Sequence, residues 1–348
     1  MRETCRDAPR WVGAAAAVIR KLPRGRYRAA NLLGRRAGQF WARFPDDLGG
    51  LSFQCDLRDP IMREVCLTGR YEPQVTALLQ RSLRPGMTCV DVGANWGYFT
   101  LAAAHAVGSR GRVIAVEADS IACTALRANL GRNRLAQVTV LEMAARERTG
   151  DAWMWHYSPD ASDSRNFGLA STNMDGFGKQ LRVRAGPLDE ALDLLGVDRI
   201  DLLKMDIEGD EGRALTGLIR RLGPHHLPRI LLELHPFQLE RQGSSAQAVI
   251  EQLRRSGYHA WVIDHSASVT RQVAAGRRDA SSTLAPLIDG AQLGTWPHVL
   301  FAGEAAPRFA KFEVPRPPIV KGAHVTPSAR QVDEIIRTGA ARDAAEQI

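Results

Sequence analysis

The chain has 348 residues and a formal net charge of +8, with 45% hydrophobic and 24% charged residues. This composition is globular, which excludes a collagen-like or wholly disordered chain, and the length allows one large domain or two ordinary ones. No apolar run approaches the roughly 18 residues of a membrane-spanning helix, and the longest, 12–19, runs directly into Arg20 and Lys21.

The five cysteines, Cys5, Cys55, Cys66, Cys89 and Cys123, are odd in number, widely spaced and form no C-x-x-C pair. That argues against a disulfide framework or a structural zinc site and fits a reducing compartment, so a cytoplasmic location is expected. The N-terminus starts basic but lacks the apolar stretch and cleavage site of a signal peptide. The charge is uneven: residues 1–45 hold eleven Lys and Arg against two Asp and Glu, 46–304 hold 28 against 31, and 305–348 hold 7 against 5. The basic character belongs to the N-terminal arm, and the body offers no obvious basic groove, so no nucleic-acid partner is expected.

Residues 1–50 read as a basic helical arm. Apolar residues recur at helical spacing through Val12, Ala15, Ala16 and Ile19, and again through Leu32, Leu33, Ala37, Phe40 and Trp41, with a break near Pro23 and Gly25. Such an arm either docks on an anionic membrane surface or partner, or packs its apolar face on the body as a lid with solvated arginines; the second is preferred.

Residues 51–304 alternate strand and helix patterns. Strands are expected at 89–93, 113–117, 138–143, 200–206, 230–234, 260–263 and 299–302, and helices at 98–107, 120–130, 188–195, 211–222 and 246–256. Residues 150–187 form a polar insert with a hairpin of 152–157 and 181–183 around a loop. Continuous apolar strands alternating with helices mean a parallel sheet covered on both faces, with ligands at the carboxyl ends of the strands. Residues 305–348 form a proline-rich, mobile tail with one short helix near 332–336.

The strand ends carry the chemistry. The first runs through Asp91, Gly93, Asn95 and Gly97 into Tyr98. Its glycines allow a tight turn close to a ligand, and the following helix N-terminus favours an anionic group, while Asp91 can accept from an amine. The G-x-x-x-G spacing is neither the dinucleotide fingerprint nor a Walker A loop. The second strand ends at Glu117, where a carboxylate can accept from both hydroxyls of a ribose. The fourth places Lys204, Asp206 and Glu208 on one face, too many charges for a simple cap, and Glu233 and His235 should emerge beside them.

These motifs resemble the FkbM family of S-adenosylmethionine-dependent methyltransferases. The resemblance rests on 90–98, on 200–209 followed by Glu211 and Leu215, on 69–73 (Gly-Arg-Tyr-Glu-Pro) and on 231–235 (Leu-Leu-Glu-Leu-His), in order across about residues 60–303. It implies an α/β class I methyltransferase domain, a doubly wound, mostly parallel, seven-stranded Rossmann-like sheet. It also implies that Asp91, Gly93, Asn95 and Gly97, with Tyr98, surround the methionine part of S-adenosylmethionine. Glu117 would take the ribose, and Ala118, Asp119, Met143 and Ala144 would border the adenine. Tyr71 and Glu72 would close the site. Gly212, inside an expected helix, and the unalignable 150–187 insert depart from the family pattern.

The implied reaction is methylation of a hydroxyl on a sugar, polyketide or other natural product, so the expected partner is a small-molecule or glycan acceptor. Lys204, Asp206, Glu208 and His235 are the catalytic candidates. The acceptor proton goes either to His235 or to solvent after a Mg²⁺ ion, held by Asp206 and Glu233, lowers the hydroxyl pKa. The alternative is a non-catalytic or nucleic-acid-directed interaction protein on the same fold. Peripheral membrane contact through the arm and a homodimer stay open.

Overall fold

The computed structural model describes residues 6–22, 24–33, 39–156, 170–171, 180–288, 293–305 and 307–309. The helix expected near 332–336 and most of the tail lie outside these residues.

Among the described residues, eight strands make the central sheet: β1 (Thr88–Val92), β2 (Arg112–Glu117), β3 (Val138–Glu142), β4 (Leu202–Met205), β5 (Arg229–Glu233), β6 (His259–Ile263), β7 (Leu284–Pro286) and β8 (His298–Ala302). Their order across the sheet is β7-β6-β8-β5-β4-β1-β2-β3. The five strands from β5 to β3 are parallel, whereas β8 runs antiparallel to both β5 and β6, and β7 antiparallel to β6. The expected α/β, mostly parallel sheet is present, and the count of seven is corrected to eight. The added strand, β7, is a three-residue edge piece, too short to leave a period in the sequence.

The helices are α1 (Arg10–Lys21), α2 (Arg26–Leu33), α3 (Pro60–Thr68), α4 (Pro73–Ser82), α5 (Tyr98–Val107), α6 (Ser120–Asn133), α7 (Leu188–Leu194), α8 (Glu211–His226), α9 (Pro236–Arg241), α10 (Ala246–Arg255) and α11 (Ala267–Ala274). Alternation along the strands divides the core. Cys89, Val113, Ala115, Leu202, Leu231 and Leu300 join the layer of α4, α5 and α6. Val90, Val92, Ile114, Val116, Leu203, Met205 and Leu232 join the layer of α7, α8 and α10. Both faces are therefore apolar, which is why the strands read as unbroken hydrophobic runs.

The arm contributes to the first layer. Val12, Ala16 and Ile19 bury the apolar stripe of α1, and the Arg20 guanidinium donates to the Cys66 carbonyl at 3.0 Å. A small sheet of Arg6–Asp7, Phe40–Arg43 and Ser52–Cys55 follows. Phe44 and Phe53 then pack on Trp96 in the turn after β1. The insert hairpin forms from Gly150–His156 and Gln180–Gly186, paired antiparallel. It joins the β3 end through a parallel pairing with Ala144–Ala145. The four described cysteines are buried and free, and no helix among the described residues is long and apolar enough to cross a membrane.

Candidate active site

β1 and β4 are neighbours although the chain between them runs out to the sheet edge and back, so a cleft opens beyond their carboxyl ends. A cavity lies there. Its walls include Tyr71, Gly93, Asn95, Tyr98, Glu117, Ala118, Met143, Ala144, Lys204, Asp206, Glu208, Glu233 and His235. Four other expected residues stand behind the walls. Asp91 is fully buried, Gly97 caps α5, Asp119 caps α6 by accepting from the Ile121 N–H at 2.8 Å, and Glu72 faces a smaller neighbouring space.

The turn after β1 is shaped by the protein itself. Gly93 has φ +80°, and a Cβ there would meet the Asp206 carbonyl oxygen at 1.8 Å, so only glycine lets β1 and β4 approach. A Cβ on Gly97 (φ +100°) would lie 2.4 Å from Leu126 Cδ1. Asn95 also takes a left-handed conformation, φ +52°, and its side-chain oxygen accepts from the Trp96 N–H at 2.7 Å. Glu117 closes the turn: one carboxylate oxygen accepts from the Asn95 N–H at 2.7 Å, the other from the Asp119 N–H at 2.8 Å. Burial nevertheless raises its pKa to about 7. Asp91 Oδ2 accepts from the Thr100 hydroxyl at 2.6 Å, while Oδ1 is buried without a hydrogen bond among the described residues.

The opposite end is a cluster of charge. Glu208 (φ +57°) and Gly209 (φ +109°) make a tight turn between β4 and α8, which brings Glu208 to the cavity. His235 follows β5. Its Nδ1 lies 2.9 Å from Glu211 Oε1, which also accepts from the Gly209 N–H at 3.0 Å. Its Nε2 faces Asp206, Glu208 and Glu233 at 3.6, 3.7 and 3.8 Å. Burial opposes a charged ring, but the Glu211 bond and the Asp206 and Glu208 carboxylates outweigh it and raise the pKa to about 10. His235 is therefore an imidazolium at neutral pH.

Lys204 is buried over the Phe99 ring, 4.7 Å away, with its ammonium 3.4 Å from Asp206. Burial works against that charge too, yet Asp206 and Asp91 hold it well above the usual range. Burial pushes the Asp206 carboxyl up, but Lys204 and His235 more than compensate and lower it. Burial raises Glu208 to about 7. Asp206, Glu233 and His235 each have a side-chain N or O atom within 4.8 Å of the others'.

Several contributors were not singled out from sequence. Met154, on the insert hairpin, lines the cavity, as do Ile61 and Phe99. Glu211 was visible in the signature without a role. His298 enters because β5 and β8 pair Glu233 with His298, a register that no local pattern encodes.

The family model for the methyltransferase FkbM domain matches residues 91–260. The AMB antimetabolite synthetase AmbE of Pseudomonas aeruginosa is 31% identical over 207 residues, covering 51% of this chain and 10% of that protein. The 31-O-demethyl-FK506 methyltransferase FkbM of Streptomyces tacrolimicus is 29% identical over 177 residues, covering 44% of this chain and 67% of that protein. The chain thus spans about a tenth of the first relative and two thirds of the second. Among solved structures, the O-methyltransferase from Bacillus cereus in complex with SAH superposes with a TM-score of 0.35 at 15% identity, covering 67% of this chain and 81% of that one. The match to the methyltransferase FkbM domain model, over residues 91–260, takes in the turn after β1, Glu117 and most of the charged cluster.

Proposed function

We propose that this protein transfers a methyl group from S-adenosylmethionine to a hydroxyl of a small molecule or glycan. The observation that carries this reading is one continuous cavity joining Glu117 at one end to Asp206, Glu208 and His235 at the other. The residues fit the donor. Each Glu117 oxygen is fixed by one backbone N–H and keeps a lone pair for a ribose hydroxyl. Ala118, Met143, Ala144 and Met154 supply apolar wall for an adenine. When bound, S-adenosylmethionine supplies an electrophilic sulfonium methyl.

The chain's own work is positioning and proton removal. Alignment of an acceptor oxygen is worth roughly 7–11 kcal/mol in favourable systems. The proton goes to Glu208. Its pKa of about 7 is matched to neutral conditions, whereas His235, at about 10, already holds a proton. His235 then acts as a fixed positive charge beside the acceptor, kept in place by Glu211. A divalent cation on Asp206 and Glu233 is the second reading, favoured by their spacing with His235. It requires activity that a chelator abolishes.

The test is transfer of an isotope-labelled methyl from S-adenosylmethionine to panels of sugar and polyketide alcohols. Glu208→Gln should lower the rate by about 10²–10⁴-fold, and the wild-type rate should rise with pH through about 7 as Glu208 ionises. A rate unchanged in Glu208→Gln would remove it as the base.

A further inference from the structure

Next to the candidate active-site cavity, sharing Lys204 and Glu233 with it, lies a second, small space of about 10 Å³. That is room for a single water or ion. Its polar wall comes from separate elements: Glu72 at the start of α4, Glu233 at the end of β5 and His298 at the start of β8. Their ligand atoms lie within 4.8 Å of one another. The His298 side chain is 10% exposed, and neither ring nitrogen makes a hydrogen bond among the described residues. The His265 ring stacks on it at 4.1 Å and 12°, which fixes its plane.

The distances discriminate between two occupants of this geometry. His298 Nε2 stands 3.3 Å from Glu72 Oε1 and 3.2 Å from Glu233 Oε2. An imidazolium–carboxylate bond usually sits at about 2.7–2.9 Å, and here one Nε2 proton would have to be shared between two carboxylates at longer range. Ligands bound at about 2.0–2.1 Å around a tetrahedral zinc ion are instead about 3.3 Å apart. Charge agrees. Two carboxylates and a neutral imidazole balance a divalent cation. Lys204 shares the wall, but its ammonium is paired with Asp206.

We propose that Glu72, Glu233 and His298 form a zinc-type divalent cation site, which shares only Glu233 with the Asp206–Glu233–His235 group and ties the entry of α4 to β5 and β8. It does not depend on the methyl-transfer reading.

The experiment uses the full chain, stripped with a chelator and dialysed, then titrated with zinc chloride by calorimetry and melted with and without the ion. One equivalent should bind, and melting should rise by about 5 °C at a hundredfold excess over Kd. His298→Ala and Glu72→Gln should each abolish both effects, while His235→Ala keeps them. Should His298→Ala melt without a cooperative transition, Glu72→Gln, which keeps the side-chain volume, decides. Absence of binding, binding undiminished in Glu72→Gln, or binding lost only in His235→Ala would overturn the site.

Discussion

The two ends of the cavity are built on different principles. At the ends of β1 and β2, backbone geometry does the shaping: Gly93, Asn95 and Gly97 in left-handed conformations, and a Glu117 carboxylate fastened by two backbone N–H groups. At the ends of β4 and β5, side-chain charge does it: Lys204, Asp206, Glu208, Glu233 and His235 lie within ion-pair reach of one another. The first end is a rigid mould, and a single atom added to it breaks packing. The second is an electrostatic balance, and a single charge removed from it shifts the protonation of the rest.

Gly93→Ala should show the mould most severely. The new Cβ collides with the Asp206 carbonyl, and φ +80° is strained for any L side chain. We expect a loss above about 4 kcal/mol, read as a collapsed denaturant midpoint or insoluble protein. Glu211→Leu is the counterpart at the charged end. It removes the hydrogen bond to a buried imidazolium that three other carboxylates still face, and should cost about 1.5–3 kcal/mol by the same measurement. Glu211→Gln should be milder, with the His235 pKa falling from about 10 as followed by imidazole NMR. An unchanged His235 titration in that variant would break the proposed coupling.

A smaller effect separates the ends by pH. The fold raises the His235 pKa from 6.5 to about 10, so its stabilisation is complete below 6.5 and is lost as pH climbs to about 10. Wild-type protein should therefore lose stability across that window relative to His235→Gln, measured by urea unfolding at stepped pH. Parallel curves would mean that His235 is not held as a cation. Smallest of all, Met154→Ala should weaken donor binding by only a few fold, through lost apolar contact worth about 1 kcal/mol.

The same contrast governs what could be read from sequence. The turn 91–97, the strand ending at Glu117 and α5 over Tyr98–Val107 were legible because each is local: glycine spacing, a continuous apolar run, a helix start. Lys204, Asp206 and Glu208 were legible as an excess of charge at a strand end. The Glu72–His298 contact was not, because it depends on how β8 registers on β5 and where α4 starts. The protonation of His235 was also hidden: an ordinary histidine titrates near neutrality, and only the placement of Glu211, Asp206 and Glu208 around the ring raises it to about 10. Helices α3 and α4 and edge strand β7 escaped notice, β7 for its three-residue length.

The most direct measurement is calorimetric titration of S-adenosylmethionine into the wild type and Glu117→Ala. Micromolar binding to the wild type, weakened about 10–100-fold in the variant by loss of the ribose hydrogen bonds, is the expected result. No binding to the wild type, or equal binding to both, would contradict the placement of the methyl donor along β1 and β2.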